Sequence, residues 1–329
     1  MTGPALLALR SLRLSFRLYE GVARVLDGID LSIAPGERVG IVGESGCGKS
    51  VTARAALGLV SQRNAELSGD VLWKGESLVR AGAQRWGALR GREMSMIFQD
   101  PSVALNPVFT IADQMFEVVR RGGKVARRAE ALDLARAALA RVFIDDPDRV
   151  LRSYPFQLSG GMAQRVMITM AMINGPELVI ADEPGTALDV TVQEQTLRLM
   201  AALTRESGAA VILIAHNLGV IRQFCSRVYV MYAGTVAEEG SVDEVFRTPL
   251  HPYTRALFAA VPRLGGGGLP QPIEGVVPDY TQAPPGCRFS TRCPHATAAC
   301  DREPPWVEVS PGRRVRCVLH APATVAADA

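Results

Sequence analysis

The sequence predicts an α/β protein: a mixed-sheet core interrupted by an inserted helical subdomain and followed by a small cysteine-containing tail. Three observations carry this. The glycine-rich segment GESGCGKS (Gly43–Ser50) sits between an apolar stretch and an Ala-rich one. Two later apolar runs, Glu177–Asp182 and Ala210–Ala215, have strand length and flank a helical pattern, the βαβ rhythm of a parallel sheet. Four of the six cysteines, finally, lie beyond residue 286 in a Pro- and Gly-rich region.

Taken in order, residues 7–34 alternate apolar and polar positions with Gly breaks, as antiparallel strands do. Residues 37–42 (Glu-Arg-Val-Gly-Ile-Val) predict a short buried strand entering the glycine-rich loop, and Ser50–Leu59 a helix leaving it. From about Gly87 to Gln164 the period is helical, most clearly over Arg127–Val142, which places the inserted subdomain at 87–165. Val190–Glu206 predicts the helix between the two apolar strands. The core therefore comprises 1–86 and 166–245, and the tail 246–329, with Gly265–Gly268 as a hinge. No internal repeat of fixed period and no coiled-coil insert interrupts this order.

A chain of 329 residues with 48% hydrophobic content can bury a large core. No apolar run approaches the roughly 18–20 residues a membrane-spanning helix needs, and Arg10, Arg13 and Arg17 break up the N-terminal apolar residues, so neither a span nor a signal peptide is expected and the chain is placed in the cytosol. The net charge of +3 is small and the basic residues are scattered, which gives no support to nucleic-acid binding.

Gly43–Ser50 matches G-x-x-x-x-G-K-[ST], in which backbone N–H groups cradle phosphates. Gly43, Ser45, Gly46, Gly48 and Val51 form the cradle, Lys49 reaches the β and γ phosphates, and Ser50 reaches Mg²⁺. A strand ending at a glycine loop that opens a helix is the context anion binding requires. In Leu178–Glu183, four apolar residues precede two carboxylates: Asp182 suits Mg²⁺, held through water, and Glu183 suits orienting or deprotonating an attacking water. His216 closes the strand Val211–Ala215, where a polar side chain would face the γ-phosphate. Gln99, in MIFQDP, reads as a turn residue when taken alone.

The order of phosphate loop, FQDP, LSGGMAQR (Leu158–Arg165), apolar-ADE, ALD and strand-end His resembles the ATP-binding cassette family over nearly the whole chain. That resemblance implies an ATPase: Ser159, Gly160 and Gly161 complete the ATP site of a partner subunit, Gln99 senses the γ-phosphate and Mg²⁺, and Asp189 crosses the dimer interface. It also implies an aromatic stacked on adenine, Phe16 in our assignment with Tyr19 as competitor. MIFQDPSVALNPVFT, SYPFQLSGGMAQRVMI, TALDVTVQ and HPYTRAL, with the cysteine tail, are similar to ATPase subunits of dipeptide, oligopeptide and nickel importers. Such a subunit pairs with a second homologous ATPase under two membrane-spanning permeases fed by an extracytoplasmic binding protein, peripheral at the cytoplasmic face of the inner membrane. Peptides are the expected solute, with nickel complexes, glutathione, or service in an exporter as alternatives; a cassette ATPase acting on DNA or ribosomes is the rival class. Ala163, Gly185, Phe156 and Asn217 depart from the family's usual Arg, Thr, His and Asp, and none removes a group that touches phosphate.

Cys287, Cys293, Cys300 and Cys317 have the spacing C-x5-C-x6-C-x16-C. In a cytosolic protein this suggests a metal or iron–sulfur site before disulfides. The spacing is neither that of zinc-ribbon pairs nor of a bacterial ferredoxin run, and four thiolates satisfy tetrahedral zinc or a [4Fe–4S] cluster equally. Arg288, Arg292 and Arg316 beside them are expected to keep the sulfurs deprotonated. The resemblance to peptide-importer ATPases favours [4Fe–4S], in a structural role.

Overall fold

A computed structural model describes residues 5–61, 63–123, 125, 127–185, 190–261 and 272–321. Among the described residues twelve strands run in chain order: β1 Leu7–Leu18, β2 Gly21–Ile33, β3 Arg38–Val42, β4 Ala65–Trp73, β5 Glu76–Ser77, β6 Met94–Ile97, β7 Leu178–Asp182, β8 Ala210–Ile214, β9 Arg227–Tyr232, β10 Thr235–Ser241, β11 Trp306–Ser310 and β12 Arg313–Arg316. The chain forms two compact units. One takes its described residues from Met1–Ile33, Arg38–Arg80 and Ile214–Ala329, the other from Ala34–Glu37 and Ala81–Leu213.

In the first unit the alternation of residues 7–34 becomes the antiparallel pair β1–β2, and β4 pairs on the other side of β1 to give the order β2-β1-β4-β5. Leu12, Leu14, Leu26, Ile29 and Trp73 are fully buried. A second group of strands contains β3 parallel to β9, with Gly40 opposite Val228 and Val42 opposite Val230. The tight hairpin from β9 into β10 turns through Ala233 and Gly234, both at positive φ (42° and 80°), as an I′-type turn demands. A Cβ on Gly234 would stand 2.0 Å from the carbonyl oxygen of Val25, so only glycine fits.

The tail is not set apart from this unit. β12 pairs antiparallel with β10 (Glu238 opposite Val315, Glu239 opposite Arg314), and β11 pairs with β12. Glu238, fully buried, accepts hydrogen bonds from the N–H groups of Leu250 and His251 and from Arg313 at 3.2 Å. A buried carboxylate with three donors is fully compensated, and removal of any one would leave an expensive unpaired group. Pro- and Gly-rich composition pointed to a separate tail from residue 246; two short strands and this buried pair instead tie it to the core sheet. The expected hinge Gly265–Gly268 lies outside the described residues.

In the second unit β6 and β7 run parallel, and β8 neighbours β7. The helical pattern read over 87–164 is interrupted by the strand β6, whose four residues pair with β7 between the helix Leu78–Leu89 and the later helices. Those helices are Ile111–Gly122, Arg128–Arg141, Pro147–Arg152 and Gly160–Met172, with Val190–Ser207 following β7. Thr110 and Asp113 form a capping box at the first of them. Their apolar faces close on Ile111, Met115, Leu139, Val142, Val150 and Val166.

Leu139 is fully buried in this cluster whereas Leu134 on the same helix is 45% exposed. Leu139→Ala should cost about 2–5 kcal/mol in denaturant-induced unfolding. Leu134→Ala should change stability by no more than ~0.5 kcal/mol; equal losses would contradict the assigned helix face.

Candidate functional site

In the first unit the phosphate-loop pattern occupies the end of β3. All of Val39–Val42 is buried, so the chain must turn at Gly43, where φ is 155° and a Cβ would lie 2.2 Å from the carbonyl oxygen of Met231. Gly46 and Gly48 also have positive φ, and Gly48 caps the helix Lys49–Ala56 in a left-handed conformation. Lys49 is 4% exposed; its Nζ donates to the carbonyl oxygens of Gly43 at 2.8 Å and Glu44 at 2.9 Å. Ser45 and Gly46 are exposed at the loop's tip, with Ser50 and Val51 half-buried. This is a lysine folded over its own loop at a helix start, the arrangement that binds a phosphate chain. Burial pushes the Cys47 thiol up despite neighbouring Lys49, which fits a small packed residue rather than a reactive one.

Phe16, half-buried, lies in β1 opposite Ala23 of β2 and Ala65 of β4, whereas Tyr19 is fully exposed in the turn between β1 and β2. His216 is exposed directly after β8, and Asn217 caps the following helix, its Oδ1 accepting from the Gly219 N–H at 2.9 Å.

In the second unit the carboxylate pair stands at the end of β7, every residue of which is buried. Asp182 is 3% exposed and Glu183 6%. The parallel register with Ile97 opposite Ala181 carries Gln99 alongside Glu183, and Gln99 Nε2 donates to Glu183 Oε2 at 3.0 Å. The structure thus gives Gln99 a specific partner, which its sequence context alone did not. Glu183 itself has φ 49°, a left-handed conformation that costs on the order of 1–3 kcal/mol for a side chain of this kind. Strain of this kind concentrates where a side chain must be aimed.

Ser159 caps the helix Gly160–Met172 by accepting from the Met162 N–H, and Gly160 forms its exposed first turn. Ser159 and Gly161 line an open cavity of about 320 Å³ with Arg165, Asp145 and Asp146. Asp189 lies outside the described residues.

In the tail, Cys287, Cys293, Cys300 and Cys317 form no disulfide. They gather closely enough that a charge on one raises the others: burial, joined by the neighbouring thiols, pushes Cys287 up to about 11 and raises Cys293 and Cys317. The expected help from three arginines is reduced to one: Arg316 stands close enough to Cys287 to interact with it electrostatically, while no cysteine figures among the charges acting on Arg288 or Arg292. Arg288 bonds the carbonyl of Ala233 and Asp27, Arg292 bonds Glu44, and Arg316 bonds Glu303. Among the described residues no three His, Cys, Asp or Glu side chains stand in an arrangement that would hold a metal ion, so the expectation of a metal or iron–sulfur site has no geometric support here.

Sequence reading gave no role to Glu44, Tyr253 and Tyr280, and assigned Arg292 to the cysteines rather than to Glu44. Glu44 occupies a position where the loop pattern accepts any residue, so the pattern carried no signal for it.

Residues 26–186 match the model of the ABC transporter family, and residues 237–300 that of the oligopeptide/dipeptide transporter C-terminal region. The chain is 46% identical to a probable peptide ABC transporter ATP-binding protein of Sinorhizobium fredii, covering 95% of this chain and 94% of that protein. It is 43% identical to the dipeptide transport ATP-binding protein DppD of Bacillus subtilis (95% and 92% covered) and 41% identical to the oligopeptide transport ATP-binding protein OppD of Salmonella typhimurium (95% and 93%). Among solved structures, a dimeric ATP-binding cassette in a post-hydrolysis state bound to ADP and Pi is similar at TM-score 0.64 and 26% identity, covering 72% of this chain and 98% of that one. This chain therefore belongs to the ABC transporter family, as an ATPase bearing the oligopeptide/dipeptide transporter C-terminal region.

Proposed function

We propose that this chain hydrolyses ATP to power peptide import across the cytoplasmic membrane, acting at its cytoplasmic face. The observation that carries the hydrolysis is the hydrogen bond from Gln99 to the strained, buried Glu183. The peptide assignment rests on the C-terminal region at 237–300 and on relatives whose names specify peptide, dipeptide or oligopeptide transport.

The phosphate chain of ATP lies in the Gly43–Ser50 loop, with Lys49 turning from the loop carbonyls to the β and γ phosphates. Phe16 stacks on adenine. Glu183 takes the proton of the attacking water, and Gln99, bonded to Glu183 Oε2, holds the carboxylate's orientation; its amide oxygen would be the group offered to the water and to Mg²⁺. Ser50 and Asp182 offer the oxygen donors that Mg²⁺ prefers, and the ion would supply charge neutralisation of the transferring phosphoryl group. His216 contacts the γ-phosphate. Ser159, Gly160 and Gly161 present a helix N-terminus to the nucleotide of a second, homologous ATPase subunit, with Asp189 across that interface. Two permeases and an extracytoplasmic binding protein complete the particle.

For the tail we propose a structural [4Fe–4S] cluster on Cys287, Cys293, Cys300 and Cys317, zinc being the alternative. Support comes from four unbridged thiols near enough to act on one another electrostatically; a rearrangement would have to bring them into ligating positions, since their present arrangement does not. Bound, the cluster would cross-link loops that have little apolar core of their own.

Glu183→Gln should lower ATP turnover of the assembled transporter by ~10²–10⁴-fold while leaving ATP binding intact; an unchanged rate would refute the general-base role. Tagged Glu183→Gln drawn with ATP from native membranes should bring two permeases and a second cassette subunit, and recovery of ribosomal or DNA-repair proteins instead would overturn the transport reading. Anaerobically purified protein should carry iron and acid-labile sulfide in equal amounts; stoichiometric zinc without sulfide would eliminate the cluster.

A further inference from the structure

The tail reaches the phosphate loop. Glu44, the second residue of that loop, has each of its polar groups engaged, and two of the engagements come from beyond residue 250. Its N–H donates to the hydroxyl of Tyr253 at 2.8 Å. Its carboxylate takes both arms of the Arg292 guanidinium, at 2.8 and 3.2 Å. Its carbonyl oxygen accepts from Lys49 Nζ at 2.9 Å and from the Cys47 N–H. Two residues on, the Gly46 carbonyl accepts from the hydroxyl of Tyr280 at 2.5 Å.

The tail residues doing this are themselves held. The Arg292 side chain is 3% exposed and also donates to the carbonyl oxygens of Glu274 and Ile273 and to the Tyr232 hydroxyl. Tyr253 is fully buried, its ring 4.5 Å from that of Tyr232 and 5.4 Å from that of Phe289. Burial opposes the charge on Arg292, but its bonds to Glu44 and Tyr232 outweigh that and raise its pKa above the usual value. A two-armed, desolvated guanidinium–carboxylate pair fixes direction as well as distance.

We propose that Arg292 and Tyr253 are positioning residues for ATP: by gripping Glu44 through its side chain and its N–H they set the shape of the phosphate loop and the place from which Lys49 works. Neither belongs to the loop itself. Both act through one loop residue, whose backbone carbonyl anchors the lysine. The inference rests on the loop's role in binding ATP described above and adds that the shape of this loop is imposed from the tail.

The test uses the purified full-length chain and a fluorescent ATP analogue with Mg²⁺, comparing Arg292→Gln, Glu44→Gln and the double variant. Each single change should weaken nucleotide binding by about tenfold, the effect of one buried charge-assisted bond. The double variant should be no weaker than the worse single one, because both remove the same pair. Arg292→Lys, which keeps the charge but not the fork, should fall between. In the assembled transporter the loss should appear in KM for ATP with kcat nearly unchanged. Nucleotide affinity unchanged in the single variants, or additive losses in the double, would overturn the proposal. Should Arg292→Gln fail to fold, Glu44→Gln, altered on the loop side only, decides alone: wild-type affinity there refutes it. Failure of the unaltered chain to bind the analogue would instead count against the ATP site itself.

Discussion

A buried parallel strand can deliver polar chemistry only where it ends. Along β7 every side chain is shut off from water, and its one polar residue, Asp182, stands at the last position, with Glu183 just beyond it. Along β3 the same closure holds from Val39 to Val42, and the loop begins at the residue that follows. The polar groups are thereby placed by the least deformable part of each unit, and the cost is concentrated in a few backbone positions. Gly43 takes one of these by having no side chain to clash, whereas Glu183 takes another at φ 49° with a side chain in place.

The register between β6 and β7 turns this placement into a pair. Ile97 faces Ala181, and two residues further on Gln99 meets Glu183 without any long-range search by flexible side chains. A one-residue slip would send Gln99 to the opposite face, so the bond depends on the pairing of two short strands.

Much of this was legible beforehand for a physical reason. Phosphate cradling needs consecutive backbone N–H groups, and a metal-and-base pair needs adjacent carboxylates, so Gly43–Ser50 and Asp182–Glu183 appear as contiguous strings. The helices 128–141 and 190–207 are long enough for their period to emerge. By contrast β6 has four residues and sits against a helical stretch, too short to show a period of its own. β11 (WVEVS) and β12 (RRVR) are only five and four residues long, and become strands by pairing with each other and, through β12, with β10. Their decisive contact, Arg313 with Glu238, spans 75 residues. Local pattern also misjudged Arg288 and Arg292, since adjacency in sequence said nothing about which way each guanidinium turns; of the three, only Arg316 acts on a cysteine.

The grip on Glu44 has a consequence for the making of the protein. Arg292 is separated from its partner by 248 residues, and Tyr253 by 209. On the ribosome, the glycine loop and its lysine are complete long before either residue exists. The nascent chain carries the full phosphate-binding string yet lacks the groups that hold its shape. If the brace acts as proposed, full affinity for nucleotide is among the last properties acquired during synthesis, and chains cut short before residue 292 lack the guanidinium that holds the Glu44 carboxylate.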